Sequence, residues 1–144
     1  MTIDLWPTEI NAADELFPVT LVMEQAELLH NHTANLVKAE VRPIASTNGR
    51  FAFDFELVAK TLEYRFSLFR LDYGVERYPA ALIPHSKIAQ ELGLSNVVHR
   101  QMFVPAAIAN DKDELLKVFG SILRSETTKN ILQTLIAQSR KFKR

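Results

Sequence analysis

The side chains in this 144-residue chain with types and spacing suited to chemistry are four histidines, two carboxylates close together in one strand, and a basic run at the C-terminus. His30 and His32 fall in a helical pattern. Successive helical residues turn about 100°, so the two rings face opposite ways and cannot share a metal ion. No His, Asp or Glu follows either one at the three- or four-residue spacing that helical metal pairs use. Glu27 lies one turn before His30, which reads as a surface pair.

His85 and Ser86 stand where a strand gives way to a short helix. With Asp72 or Asp54 nearby they would have the composition of a nucleophile–base–acid set. No Gly-x-Ser-x-Gly elbow accompanies them, and Ser86 is expected to cap the helix. His99, beside Arg100 in a strand, reads as a hydrogen-bonded or surface imidazole. Asp54 and Glu56 lie on one face of one strand, about 7 Å apart at two residues of rise. That spacing suits paired acid–base or two-metal chemistry. Arg65 and Arg70 are expected on the neighbouring strand, however, and a solvated ladder of mixed charge is the ordinary outcome. A small hydrolase built on Asp54, Glu56 or His85 is the enzymatic alternative.

Gly49, Gly74, Gly93 and Gly120 are too scattered for a phosphate-cradling loop. Arg140, Lys141, Lys143 and Arg144, with Phe142 among them, give a second alternative, a nucleic-acid accessory protein. Seventeen basic residues against seventeen acidic ones argue against it, because phosphate neutralisation supplies most of such affinity. Without cysteine the chain has no disulfide, thiolate metal site or thiol nucleophile. Neither a metal nor a cofactor is expected.

These residues must be positioned by a single domain spanning 1–144, since the length matches one core and no linker divides it. Residues 1–17 read as an extended arm, with Trp6, the only tryptophan, as an anchor against the body; a free arm that docks on a partner is the alternative. Pro18 and the three- and four-residue spacing of Val19, Val22, Met23, Ala26, Leu29 and Leu36 predict a helix over 18–39, weakened near Asn31, Thr33 and Asn35. The sheet is expected within 41–104. It opens with a strand over Val41–Ser46, followed by the Asn48–Gly49 hairpin signal. Two alternating segments come next, Arg50–Ala59 and 62–73. A two-residue turn at Lys60–Thr61 would set Leu57 opposite Tyr64, Phe55 opposite Phe66, and Phe53 opposite Leu68. On the other face it would set Glu56 opposite Arg65 and Asp54 opposite Ser67.

A fourth strand is expected over Arg77–Ile83, with Pro79 marking a sheet edge or a non-bonded position. A short helix over 87–92 and a fifth strand over Val97–Val104 follow. A C-terminal helical pair over 111–138 is capped by Asn110 and Ser125, and 139–144 forms a basic tail. The fold class is α+β, an antiparallel meander of four to five strands against the long helix and the helical pair.

Charge is distributed unevenly. Residues 1–37 hold six acidic residues and no Lys or Arg, whereas 120–144 hold six basic residues and one acidic. The two ends can attract each other within the fold or across copies in a head-to-tail assembly. There is no N-terminal signal pattern and no apolar run near the length of a membrane span, so a cytoplasmic setting is expected. The leading expectation is a non-catalytic interaction module, an adaptor, an immunity or inhibitor protein, or an assembly subunit. It would bind a protein partner or itself, without nucleic acid or membrane. Trp6, Phe17, Tyr73, Arg77 and Tyr78 are the expected contacts, because Trp, Tyr and Arg dominate binding hot spots.

Overall fold

The structure, a computed structural model, describes residues 2–12, 17–45, 49–99 and 102–142, the side chain of Met102 excepted. In chain order the elements are α1 (Pro18–His32), β1 (Lys38–Ile44), β2 (Arg50–Ala59), a 3-10 turn (Lys60–Leu62), β3 (Tyr64–Gly74), β4 (Ala80–Pro84), α2 (Ser86–Glu91), β5 (Asn96–His99), β6 (Met102–Pro105), β7 (Ala107–Ala109), α3 (Lys112–Leu123) and α4 (Glu126–Lys141). Strands pair in the order β1-β2-β3-β4-β7, every pair antiparallel, and β5-β6 form a separate hairpin. The class is the expected α+β arrangement.

The N-terminal helix is shorter than its spacing predicts. It ends at His32, and Lys38 and Ala39 belong to β1. Ala34 and Asn35 take left-handed φ of 51° and 64°, which no continuing helix allows. Thr33 fixes the break: its hydroxyl donates to the Val37 carbonyl at 2.6 Å and accepts from the Val37 N–H at 3.3 Å. The polar side chains that weaken the pattern here thus compete directly for backbone groups. Ser46, Thr47 and Asn48, the expected end of β1 and start of its turn, lie outside the described residues.

The β2–β3 register also departs from expectation. The connection is the 3-10 turn plus Glu63 in a left-handed conformation, four residues rather than two. Leu57 therefore faces Phe66, and Glu56 faces Ser67. A bulge then leaves Leu68 unpaired, so Phe55 faces Phe69, Asp54 faces Arg70 and Phe53 faces Leu71. The extra residue inverts the alternation of β3. Leu68 and Phe69 are consequently both buried, although they are adjacent.

Under this sheet face lies the core. Phe55 and Phe69 stack at 5.0 Å between ring centroids, and Phe119 of α3 meets them at 5.7 and 5.5 Å. Leu21, Val22 and Ala26 of α1 and Leu135 of α4 complete the packing.

β4 begins at Ala80, not Arg77. Arg77 is left-handed at φ 75° and its N–H donates to the Gly74 carbonyl at 2.9 Å, so 74–77 form a turn and the ladder resumes only after Pro79. β4 lies inside the sheet, between β3 and β7. The single strand expected over 97–104 is the β5–β6 hairpin, and the fifth strand of the main sheet is β7.

Caps differ in detail. His85 rather than Ser86 caps α2, its Nδ1 accepting from the Lys87 N–H at 3.3 Å. Asp111 rather than Asn110 caps α3, accepting from the Glu114 N–H at 2.9 Å, while Glu114 accepts from the Asn110 N–H at 2.7 Å. The pair resembles a capping box, with Glu114 reaching the N–H one residue before the cap. Ser125 caps α4 as expected, through the Thr128 N–H.

α4 has a second cap from a distant element. Glu91, at the end of α2, accepts from the Glu126 and Thr127 N–H groups at 2.8 Å each and from the Thr127 hydroxyl at 2.7 Å. The Thr127 side chain first, then the two backbone donors, hold the Glu91 carboxyl below its usual range. A carboxylate depressed in the folded state stabilises fully above its unfolded value near 4.5 and loses that contribution as pH falls through the folded value. The stability gap between the native chain and Glu91→Gln is therefore expected to be full at pH 7 and to close below about pH 4.5 in urea titrations. A gap independent of pH would show that the carboxylate charge does not matter.

Candidate functional site

The outer face of the sheet carries the charged ladder. Glu56 is only 5% exposed. One of its oxygens accepts from Arg42 Nε at 3.2 Å and Arg65 Nη1 at 3.2 Å, and the other from Arg42 Nη2 at 3.1 Å. Asp54 accepts from Ser67 at 3.3 Å and Arg42 at 3.4 Å, with Arg70 at 3.9 Å. Arg65 also reaches Glu40 at 2.7 Å. Ser67 meets Asp54, and Arg65 meets Glu56, by diagonal reach despite the shifted register. Guanidinium groups engage both Asp54 and Glu56, so this face is an ion-pair network, and Glu56 is not the exposed residue that strand alternation predicts.

His85 is occupied otherwise than its neighbours in sequence suggested. Its Nδ1 caps α2 and its ring lies 4.9 Å from that of Phe66. The imidazole that reaches Asp72 is His99, with Nε2 3.3 Å from Oδ2. Arg50 Nε binds the other Asp72 oxygen. Asp72 is fully buried on the outer face between Ala52 and Ala81, where the β5–β6 hairpin covers the sheet. This Arg50–Asp72–His99 cluster joins the hairpin to the sheet. One sequence signal for it is a lone acid inside the apolar run Leu71–Asp72–Tyr73, since a buried carboxylate needs a cation. Its partners are 22 and 27 positions away in sequence, so no local pattern names them.

Four of the five expected contacts gather at the start of α1. The Arg77 guanidinium lies 5.2 Å from the Phe17 ring centroid, a cation–π contact. Tyr73 is buried beneath Phe51 and Phe53, with centroids at 5.8 and 5.9 Å. Burial pushes its hydroxyl above the usual phenol range, and does the same to Tyr78 with help from Asp111. Tyr73 is thus a core residue unavailable to a partner, while Phe17, Arg77 and Tyr78 are half-buried.

Trp6 lies apart from them. Instead of anchoring the arm to the body it is exposed, and Ile3, Leu5, Trp6 and Ile10 range from 72% to 90% exposed. Within the arm the Trp6 N–H donates to the Asp4 carboxylate at 3.0 Å. Among the described residues no hydrogen bond or ion pair ties residues 2–12 to the body. Val98 and Phe103, facing each other across the hairpin, form a smaller exposed apolar pair.

On the opposite face an apolar cleft of about 310 Å³ opens between α1 and the α3–α4 corner. Phe55, Leu57 and Leu68 form its floor, and Leu29 and Leu132 its walls. Arg124 and His32 are its only charged or titratable lining residues. Among the described residues no cluster of three or more His, Asp or Glu could hold a metal ion, and no helix is long and apolar enough to cross a membrane. Arg140 and Lys141 end α4, where the helix dipole favours cations, and Lys143 and Arg144 lie outside the described residues. No family model matches the chain, and no curated protein or solved structure matches it either.

Proposed function

We propose that this protein is a non-catalytic interaction module and that residues 2–12 are its docking element. The observation that carries the reading is the arm itself: four large apolar side chains, including the only tryptophan, held in water beside Asp4 and Glu9. Exposed apolar segments of this kind mark interaction sites, and a short extended segment can add main-chain bonds as well as side-chain anchors. The rest of the molecule acts as a rigid frame, and Phe17 beneath Arg77 fixes the start of α1. A cysteine-free chain suits a reducing compartment, and a cytoplasmic setting is part of the proposal.

Capture of the tagged full chain from a native lysate is expected to retain a stoichiometric protein partner or a second copy. Trp6→Ala is expected to lose it with the Tm unchanged, because Trp6 lies largely in solvent. Equal recovery by both chains would contradict the reading, as would a Trp6→Ala chain that unfolds.

A further inference from the structure

Two features of the molecule lack their natural counterpart. The arm presents Ile3, Leu5, Trp6 and Ile10 to solvent and carries Asp4 and Glu9 with no Lys or Arg. The cleft between α1 and the α3–α4 corner is apolar at its floor and walls, and Arg124 and His32 stand at its rim with no carboxylate among the lining residues. No ion pair engages either rim residue among the described residues. Gly120 lets the Arg124 guanidinium lie flat on α3, since a Cβ there would stand 2.7 Å from its Nη2. Leu28, nearly half exposed, extends the apolar surface outward from the cleft.

We infer that the arm of one chain docks in this cleft of a second copy. The inference rests on the arm being a docking element and names its partner. Apolar side chains of the arm enter the cleft, and Asp4 and Glu9 meet Arg124 and, when protonated, His32. The same pairing unites the acidic N-terminal end with the basic C-terminal end of the chain, and zero net charge removes overall repulsion between copies. Reciprocal exchange gives a closed dimer, whereas one-way docking propagates head to tail.

Two readouts on the full-length chain test the inference together. One is mass by sedimentation over a concentration series, and the other is emission from Trp6, the only tryptophan. Mass is expected to rise from monomer with concentration, and the emission to move to shorter wavelength in step. Trp6→Ala is expected to weaken association about thirtyfold, as for a hot-spot aromatic. Arg124→Glu is expected to weaken it about tenfold, and mixing that variant with Asp4→Arg/Glu9→Arg to restore it. Buried-type emission at every concentration with monomer mass would overturn the inference by placing the arm on its own chain. Monomer mass with solvated emission throughout would also overturn it. If in that case Trp6→Ala still loses a different captured protein, the arm remains a docking element and only the second copy is wrong.

Discussion

Phe119→Ala is expected to remove about 3–5 kcal/mol of folding stability, the usual cost of truncating a buried aromatic. Phe119 is the aromatic among three α3 side chains, with Leu115 and Ile122, that are buried in the core. It is buried, lies edge-on to Phe55 and tilted against Phe69, and so closes a three-ring cluster at the level of the β3 bulge. Truncation removes contacts from both strands at once. The surrounding residues come from α1, β2, β3 and α4 and cannot all collapse into the space. A domain of this size commonly has about 5–15 kcal/mol in total, so about a fifth or more of its stability would go. Urea unfolding reads the change directly. A loss under about 1 kcal/mol would mean that α3 is held mainly by other contacts.

Asp72→Ala is expected to cost about 3 kcal/mol and to act first on the β5–β6 hairpin. The substitution leaves Arg50 and His99 facing a buried space without their carboxylate, which is costly because the remaining charge keeps its desolvation penalty. The value sits at the low end for broken buried pairs because Arg50 is partly exposed and can turn toward water. Amide exchange in 96–99 and 102–104 should accelerate before that of β2 and β3. Glu40→Ala is the control: its pair with Arg65 is exposed on both sides, and a change of no more than about 1 kcal/mol is expected. Equal effects from the two substitutions would contradict the view that Asp72 fastens the hairpin.

Local periodicity carried much of the architecture. The strand over Arg50–Ala59 and the Ser125 cap both appear where spacing and capping chemistry place them. What escaped was decided by contacts between distant residues or by one irregular position. The β2–β3 pairing depends on the Leu68 bulge, and a bulge buries two successive residues in a strand where alternation allows one. The shortened α1 depends on Thr33 bonding to Val37 instead of continuing the helix.

Candidate sites were legible to the same extent. Asp54 and Glu56 sit in the expected arginine ladder, but the buried acid pairs with His99 and not with His85, because the hairpin folds back over β3. Tyr73 was misplaced because its residue type suits an interface and a core equally, and only burial separates the two. Trp6 is exposed rather than an anchor on its own body, a difference that residue type alone does not decide.

Photo-crosslinking from the arm in living cells tests the docking role most directly. A photoreactive residue at Leu5, the most exposed of the large apolar side chains, leaves Trp6 intact. Illumination is expected to yield one discrete adduct, its mass reporting whether the partner is a second copy. The same residue at Gln133, an exposed position on α4, is expected to yield none. No adduct from Leu5, or the same diffuse products from both positions, would contradict the assignment of the arm as the docking element.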